Sequence, residues 1–237
     1  MTASLLVLAL LAAAGDPPRD AGLRLVSAEA LGGVYRADYS TVGGRTQGFA
    51  AAQLSLGVPL PGPLRLRVDA LGGRFGQGEW VGSGALRAYA WLGRFVAGAS
   101  WGHTELQGGI RSDTFALHGE VEEEPWLRVV GSVGLERKSF GDDLRFWELF
   151  LRLYPSDRWF ASAGVSYAVS QLKQTRADVV LRGEWTAHRG TSTSLAVYAQ
   201  YGGNLYTKAA LGVVLYLDGL PAAGRDRREA LAGARFK

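Results

Sequence analysis

The amino-acid sequence predicts an all-β protein, an up-and-down antiparallel β-barrel of about twelve strands. Apolar and polar residues alternate with the two-residue period of a strand through most of the chain, and helical periodicity is absent before residue 220. Glycine and proline punctuate these alternating blocks. The chain has 33 glycines in 237 residues, about twice the usual share, and each interior glycine costs a helix about 1 kcal/mol.

The composition excludes several classes of protein. Hydrophobic residues make up 47% and charged residues 20% of the chain, which is too apolar for a disordered protein and too charged for a bundle of transmembrane helices. The net charge is only +4 and the basic residues are scattered, so no nucleic-acid partner is expected. Without cysteine, the chain has no disulfide, thiol nucleophile or thiolate metal site.

The first element is a predicted signal peptide over residues 1–15. Residues 5–15 read LLVLALLAAAG, an apolar core too short to span a bilayer. Ala12 and Ala14 supply the small residues of a cleavage site, although the preceding MTAS lacks the usual basic residue. We expect export, followed by a periplasmic linker over 16–30.

The predicted barrel covers residues 31–217, and its strands alternate apolar with polar side chains. In residues 64–72, for example, leucine, valine and alanine alternate with arginine and aspartate. Each block has about the length that crosses an apolar layer of about 25 Å. The predicted strands are 31–40, 46–57, 64–75, 84–92, 95–104, 114–122, 126–138, 145–154, 158–171, 176–188, 193–202 and 207–217.

The predicted connections are of two kinds. Longer, glycine-rich segments such as 76–83 and 105–113 are expected at one end of the barrel. Short connections are expected after every second strand, at 58–63, 93–94, 123–125, 155–157 and 189–192. An even number of strands with short turns at one end and longer loops at the other is typical of a transmembrane barrel.

Aromatic residues lie near the predicted strand ends, as in the interfacial girdles of a membrane barrel. They are Tyr35, Tyr39, Trp101, Tyr154, Trp159, Tyr167 and Trp185. On this pattern residues 31–217 resemble the bacterial outer-membrane β-barrel class. Within the last predicted strand, Gly212, Leu215 and Leu217 are similar to the signal by which such barrels are recognised for insertion.

The resemblance implies a barrel in the outer membrane of a bacterium with two membranes, with both termini in the periplasm. Its expected partners are outer-membrane lipids, lipopolysaccharide and the barrel-assembly machinery. Residues 218–237 would then form a basic periplasmic tail, either a short helix that plugs the barrel or contacts a partner, or a disordered extension.

The polar strand faces predict a charged lumen, because an arginine facing lipid near the bilayer midplane would cost about 2–4 kcal/mol. The ten lumen residues that we single out are Arg65, Arg67, Asp69, Arg128, Glu136, Glu148, Arg152, Asp178, Arg182 and Glu184. The same pattern places Arg36, Asp38, Arg87, Glu120, Glu122, Lys138, Arg176 and Lys208 inside. Such a lumen is either neutralised by ion pairs or forms a narrow solute path with little charge selectivity.

No residue is singled out as catalytic, as a metal ligand or as a cofactor ligand. None of the three histidines, His103, His118 and His188, shows the spacing of the outer-membrane phospholipases or lipid A deacylases. The predicted function is therefore non-enzymatic: a porin-like channel for small solutes or a structural barrel with a charge-paired lumen. The alternatives are a lipid-modifying outer-membrane enzyme of those types and a soluble exported barrel that binds an apolar ligand.

Overall fold

The protein is a closed β-barrel of twelve antiparallel strands in a computed structural model. The structure describes residues 24–39, 42–60, 64–76, 79–92, 94–124, 126–156, 158–171, 175–186, 193–202 and 206–216. The strands are β1 (Arg24–Tyr39), β2 (Val42–Pro59), β3 (Leu64–Phe75), β4 (Glu79–Leu92), β5 (Phe95–Leu106), β6 (Arg111–Glu124), β7 (Leu127–Lys138), β8 (Leu144–Ser156), β9 (Trp159–Ser170), β10 (Thr175–Thr186), β11 (Thr193–Tyr201) and β12 (Tyr206–Tyr216).

Each strand pairs with its neighbours in sequence, and β12 pairs with β1 to close the sheet. Closure leaves no strand edge without backbone partners, which a bilayer requires of any β structure that spans it. The predicted all-β, up-and-down barrel is therefore confirmed. No helix in the described part of the chain is long and apolar enough to cross a membrane.

The predicted short connections after β4, β6 and β8 agree with the strand bounds, but the two longer, glycine-rich segments were predicted too long. Residues 76–83 and 105–113, expected to be loops, lie largely within β4, β5 and β6, and the fully described connections 107–110 and 139–143 are four and five residues long. Gly82 was assigned to a loop, but it lies inside β4 on the outer face. A glycine keeps both backbone hydrogen-bonding groups of the ladder, so it interrupts the side-chain pattern without interrupting the strand.

The amino-terminal boundary also differs from the prediction. β1 begins at Arg24, inside the segment 16–30 that the sequence assigned to a linker. Three parts of the prediction lie outside the described residues. They are the signal peptide, the tail 218–237, and Leu217, the last residue of the predicted insertion signal.

The two faces of the barrel differ sharply in chemistry. Large apolar side chains such as Leu117, Leu149 and Leu211 are exposed on the outer face, whereas charged side chains such as Arg128 and Glu184 are buried on the inner face. A water-soluble barrel has the opposite distribution, with its apolar face inside. The outer face is therefore built to contact lipid.

Aromatic side chains mark both ends of this apolar face. We call the end at which β1 begins and β12 ends the terminal end, and the opposite end the far end. The rings of Trp147 and Tyr167 lie 5.7 Å apart toward the far end, and those of Trp159 and Trp185 lie 6.1 Å apart toward the terminal end. Aromatic girdles at two heights are typical of the two interfaces of a bilayer.

Candidate functional site

The barrel interior is the candidate site, and it has two parts. Toward the terminal end, charged side chains from many strands meet in a charge belt. Toward the far end, the interior widens into a cavity that we call the vestibule. The charge belt consists of Glu29, Arg67, Asp69, Arg87, Glu120, Glu122, Arg128, Arg152, Arg182 and Glu184.

The first cluster of the belt centres on Asp69 of β3. Its carboxylate accepts hydrogen bonds from the Ser55 hydroxyl at 2.6 Å and from Arg67 Nε at 2.8 Å. Arg87 Nε lies 3.1 Å from the other carboxylate oxygen. The register places Ser55 directly opposite Asp69. The cluster therefore joins β2 to β3 by charge-assisted hydrogen bonds, which are stronger than neutral ones, and β3 to β4 by an ion pair.

The second cluster centres on Arg128 of β7, which is 2% exposed. Its guanidinium donates to Glu120 at 2.7 Å and to Glu122 at 2.8 Å, and lies 5.8 Å from the centre of the Tyr154 ring. Arg152 lies 3.8 Å from the second oxygen of Glu120. Arg128 is thus bound on one side by two carboxylates and on another by an aromatic ring.

The third cluster crosses the lumen. Arg182 of β10 bonds to its strand neighbour Glu184 and lies 3.1 Å from Glu29 of β1. The two intervening strands carry the small residues Ala196 and Gly212 on their inner face, which leaves room for the guanidinium. The pair therefore links the first strand to the tenth across the closing seam.

Buried side chains, both charged and uncharged, fill the terminal half of the barrel. One buried side chain comes from every strand, and none of the twelve exposes more than a tenth of its surface. They are Glu29, Ser55, Arg67, Tyr89, Val96, Glu120, Arg128, Tyr154, Phe160, Glu184, Ser194 and Val214. At this level every strand therefore contributes a buried side chain to the lumen, whereas the belt residues Glu122 and Arg182 keep 35% and 25% of their side chains exposed.

The vestibule is a cavity of about 620 Å³ between the belt and the far end. Its floor includes Arg87, Arg152 and Arg182 of the belt. At its mouth lie Ile110 and Phe140, and the Phe140 side chain is 79% exposed. The volume falls in the range of about 300–1,000 Å³ that is common for small-molecule sites.

One wall of the vestibule carries a row of polar side chains that we call the polar ladder. Its members lie opposite one another on β6 to β10, so successive rungs are about 4.8 Å apart. The polar ladder consists of His118, Ser132, Glu148, Ser166 and Asp178.

The rungs of the polar ladder are joined by hydrogen bonds. Glu148 accepts from Ser132 at 2.8 Å and from Ser166 at 2.9 Å. The Ser100 hydroxyl lies 2.7 Å from His118 Nε2, and the Gln200 amide donates to Asp178 at 3.2 Å. The ladder is therefore held by contacts between neighbouring strands and faces the cavity in a fixed arrangement.

The structure distributes the ten singled-out residues between these two parts. The belt contains Arg67, Asp69, Arg128, Arg152, Arg182 and Glu184, and the vestibule lining contains Glu136, Glu148 and Asp178. The tenth, Arg65, lies near the terminal end, where its side chain donates to the carbonyls of Leu60 and Leu64 at 3.4 and 2.7 Å.

Two residues depart from the expected lumen set. Arg36 was expected inside but is exposed, and the register pairs it with Thr46 and Thr207, two positions from the outward-facing Val34. Alternation places it outside near the far end. Glu29 was missed because residues 16–30 were read as a linker, although alternation with Leu31, which is also buried, would have included it.

The predicted insertion signal occupies both faces of β12. Gly212 lies on the inner face, where a β-carbon would collide with the Leu31 side chain and with the Ala30 carbonyl. Leu215 lies on the outer face and is exposed. Gly212 is therefore required for close packing of the seam, and its role in recognition stays a prediction.

The described histidines lie on different faces of the barrel. His118 faces the lumen beside Ser100, and His103 pairs with Asp113 at 2.9 Å on the outer face. A lipid-cleaving site needs a serine and a histidine together at the lipid surface, and the Ser100–His118 pair lies inside instead. His188 lies outside the described residues. Within the described ranges, no group of three or more histidine or acidic residues could hold a metal ion.

Comparison with known proteins finds structures with a similar fold but no protein related by sequence. No protein family and no curated protein matches the sequence. The KdgM porin superposes with a TM-score of 0.62 at 9% identity, covering 81% of this chain and 99% of the porin. The NanC porin gives 0.63 at 8%, covering 80% and 100%. An outer membrane channel from Pseudomonas putida F1 gives 0.62 at 10%, covering 85% and 99%. The chain thus has the barrel fold of outer-membrane porins and channels.

Proposed function

We propose that this protein is a non-enzymatic, porin-like barrel of the bacterial outer membrane, closed in its resting state by the charge belt. The vestibule opens to the outside of the cell and the terminal end faces the periplasm. The observation that carries this proposal is the ring of buried side chains supplied by all twelve strands.

The membrane assignment rests on the outer face of the barrel. Its exposed leucines, valines and tryptophans suit a hydrocarbon layer, and the aromatic pairs at two heights suit its two interfaces. An exported chain reaches the outer membrane from the periplasm. Outer-membrane lipids, lipopolysaccharide and the barrel-assembly machinery are accordingly the proposed partners.

The charge belt supports a closed resting state rather than an ion-selective pore. It contains five arginines and five carboxylates, so their formal charges cancel. A selective channel presents a ring of one sign around an open path. Here the two signs are bonded to each other, and solute passage would require the belt to separate. A barrel in which the belt never separates would have a purely structural role.

Porin structures with this fold show that it can hold a solute. The KdgM porin was solved in complex with a disordered oligogalacturonate. By analogy of fold alone, we propose that the vestibule is the place where a small solute first enters this barrel.

Planar-bilayer recordings test the closed lumen. Purified wild-type protein should insert without resolved current steps. Arg128→Ala/Tyr154→Ala should conduct, because it removes two fully buried side chains from adjacent strands and leaves room for several waters of about 30 Å³ each. Arg94→Ala/Trp126→Ala, a matched pair of exposed residues at the same end, should stay silent.

Three results would overturn the proposal. Steady wild-type current as large as that of the double variant would show that the belt does not close the lumen. A silent double variant, folded by heat-modifiable migration, would show that the closure lies elsewhere. Recovery of the protein wholly in the aqueous periplasmic fraction would contradict the membrane assignment.

A further inference from the structure

The outer face of the barrel carries different charge at its two ends. Five exposed arginines face outward, and among the described side chains each occupies the outward-facing position nearest the far end of its strand. These arginines, which we call the arginine ring, are Arg36 on β1, Arg74 on β3, Arg111 on β6, Arg137 on β7 and Arg145 on β8. At the terminal end, the described outward-facing strand positions carry no arginine or lysine.

The arginine ring lies just beyond the aromatic and apolar part of the outer face. On β8, the outward-facing side chains run from Arg145 to Trp147 and then Leu149. On β6, Phe115 is the first apolar outward-facing side chain after Arg111. An arginine at this height can pack its stem on apolar surface and extend its guanidinium among polar headgroups. The arginine ring is therefore placed to contact lipid headgroups rather than acyl chains.

Three arginines of the ring are neighbours on adjacent strands. The register places Asp113 of β6 opposite Arg137 of β7, and Leu135 of β7 opposite Arg145 of β8. Arg137 is thus the diagonal neighbour of both Arg111 and Arg145, at about 7–8 Å from each. Arginine side chains at this spacing can reach one phosphate together or two phosphates of the same headgroup.

Carboxylates neutralise part of this region. Glu105 lies 3.4 Å from Arg111, and Asp113 lies 2.9 Å from the His103 ring. The Arg111 and Glu105 side chains are 60% and 36% exposed, and a pair this exposed contributes at most about 1 kcal/mol. Arg111 can therefore exchange this partner for a phosphate at little cost.

Arg137 and Arg145 carry the positive charge that is left. Neither forms an ion pair within the part of the chain that the structure describes. Asp142 and Asp143 lie in the turn between their strands, and Asp143 accepts a hydrogen bond from the backbone N–H of Lys138 at 3.2 Å. These two aspartates reduce the local charge without bonding to either guanidinium.

Phosphate is the anion that suits such a cluster. A planar guanidinium donates two parallel N–H bonds to phosphate oxygens, and basic side chains near a membrane surface attract anionic headgroups. The spacing of the three arginines favours a headgroup with more than one phosphate. In the outer leaflet of an outer membrane, lipopolysaccharide is the lipid with such a headgroup, and its phosphates lie next to its acyl chains.

From these observations we infer that Arg111, Arg137 and Arg145 bind the phosphate groups of one lipopolysaccharide molecule, whose acyl chains lie along the apolar face beside Trp147 and Leu149. The inference rests on the proposed function, because only a far end that faces outward meets lipopolysaccharide. It does not depend on whether the charge belt closes the lumen.

Binding can be measured on the full-length protein in detergent by native mass spectrometry, with diphosphoryl lipid A, monophosphoryl lipid A and phosphatidylglycerol as separate probes. The wild type should bind diphosphoryl lipid A at least about fivefold more tightly than either of the other two lipids, which have one phosphate each. Arg137→Gln/Arg145→Gln should weaken diphosphoryl lipid A binding about 25-fold, at about fivefold for each arginine.

The matched control is Arg94→Gln/Arg158→Gln. It removes the same charge from two turns at the terminal end, and it should bind diphosphoryl lipid A like the wild type. Heat-modifiable migration verifies that both double variants are folded. The preference of the wild type among the three lipids tests the inference even if a variant does not fold.

Several results would overturn the inference. These are equal binding of the three lipids by the wild type, unchanged binding of diphosphoryl lipid A by folded Arg137→Gln/Arg145→Gln, or an equal loss in the control variant. The proposed function fails on other measurements, namely steady wild-type current or recovery in the aqueous fraction. A wild type that is silent in planar bilayers but shows no preference for diphosphoryl lipid A refutes only the lipopolysaccharide site.

Discussion

Replacing Arg128 with alanine tests how much the charge belt contributes to stability. Arg128 is 2% exposed and bridges Glu120 and Glu122 at 2.7 and 2.8 Å. Its removal leaves Glu120, itself only 4% exposed, without its nearest cation. Breaking one partner from a buried ion pair costs about 3–5 kcal/mol. That is a large part of a stability of about 5–15 kcal/mol.

The free energy of unfolding can be measured by urea titration in lipid vesicles, followed by tryptophan fluorescence. We expect a loss of about 3–5 kcal/mol for Arg128→Ala, with much of it recovered when Glu120→Gln and Glu122→Gln are added. The exposed Arg94→Ala should change stability by less than about 0.5 kcal/mol. A loss for Arg128→Ala below about 1 kcal/mol would refute the reasoning, because that is the value of an exposed pair.

Two further substitutions test the seam and the outer face. Gly212→Val should block close packing of β12 on Leu31 and reduce the fraction of heat-modifiable, folded barrel. The control Gly72→Val should fold normally, because a β-carbon there has no atom within 4 Å. Equal yields of folded barrel from the two variants would contradict the argument that Gly212 is needed at the seam. Leu149→Arg, at the middle of β8 on the outer face, should lower the free energy of unfolding by about 2–4 kcal/mol in the same urea titration. Leu92→Arg, near the terminal end, should lower it by only about 0–1 kcal/mol. Equal losses for the two variants would contradict the placement of the apolar layer.

The alternation of apolar and polar residues was enough to predict the barrel, because a period of two residues can be recognised within each strand's own sequence. It also separated the inner from the outer side chains in most strands, but it placed Arg36 of β1 on the wrong face. The same local rule misread Gly82, since a glycine carries no side chain to show which face it occupies. It missed Glu29 because the boundary of β1 was placed at residue 31, seven residues late.

The division into belt and vestibule could not be predicted in this way. It depends on how each strand is staggered against the next, and alternation within one strand is compatible with any even shift of register. Arg182 and Glu29 are 153 residues apart in sequence yet hydrogen-bonded across the lumen. Only the closed sheet, with its complete set of strand registers, brings them together.

The short connections limit how much of this protein is accessible at the cell surface. The fully described connections at the far end, 107–110 and 139–143, are four and five residues long, so they offer little chain beyond the membrane for a protease to cleave or an antibody to bind. The turn between β7 and β8 contains Gly141 at a φ of 92°, a conformation suited to glycine. Surface shaving of intact cells should leave the barrel whole. An epitope tag inserted in that turn should be bound by its antibody on intact cells if the far end faces outward, and would so report the orientation of the barrel.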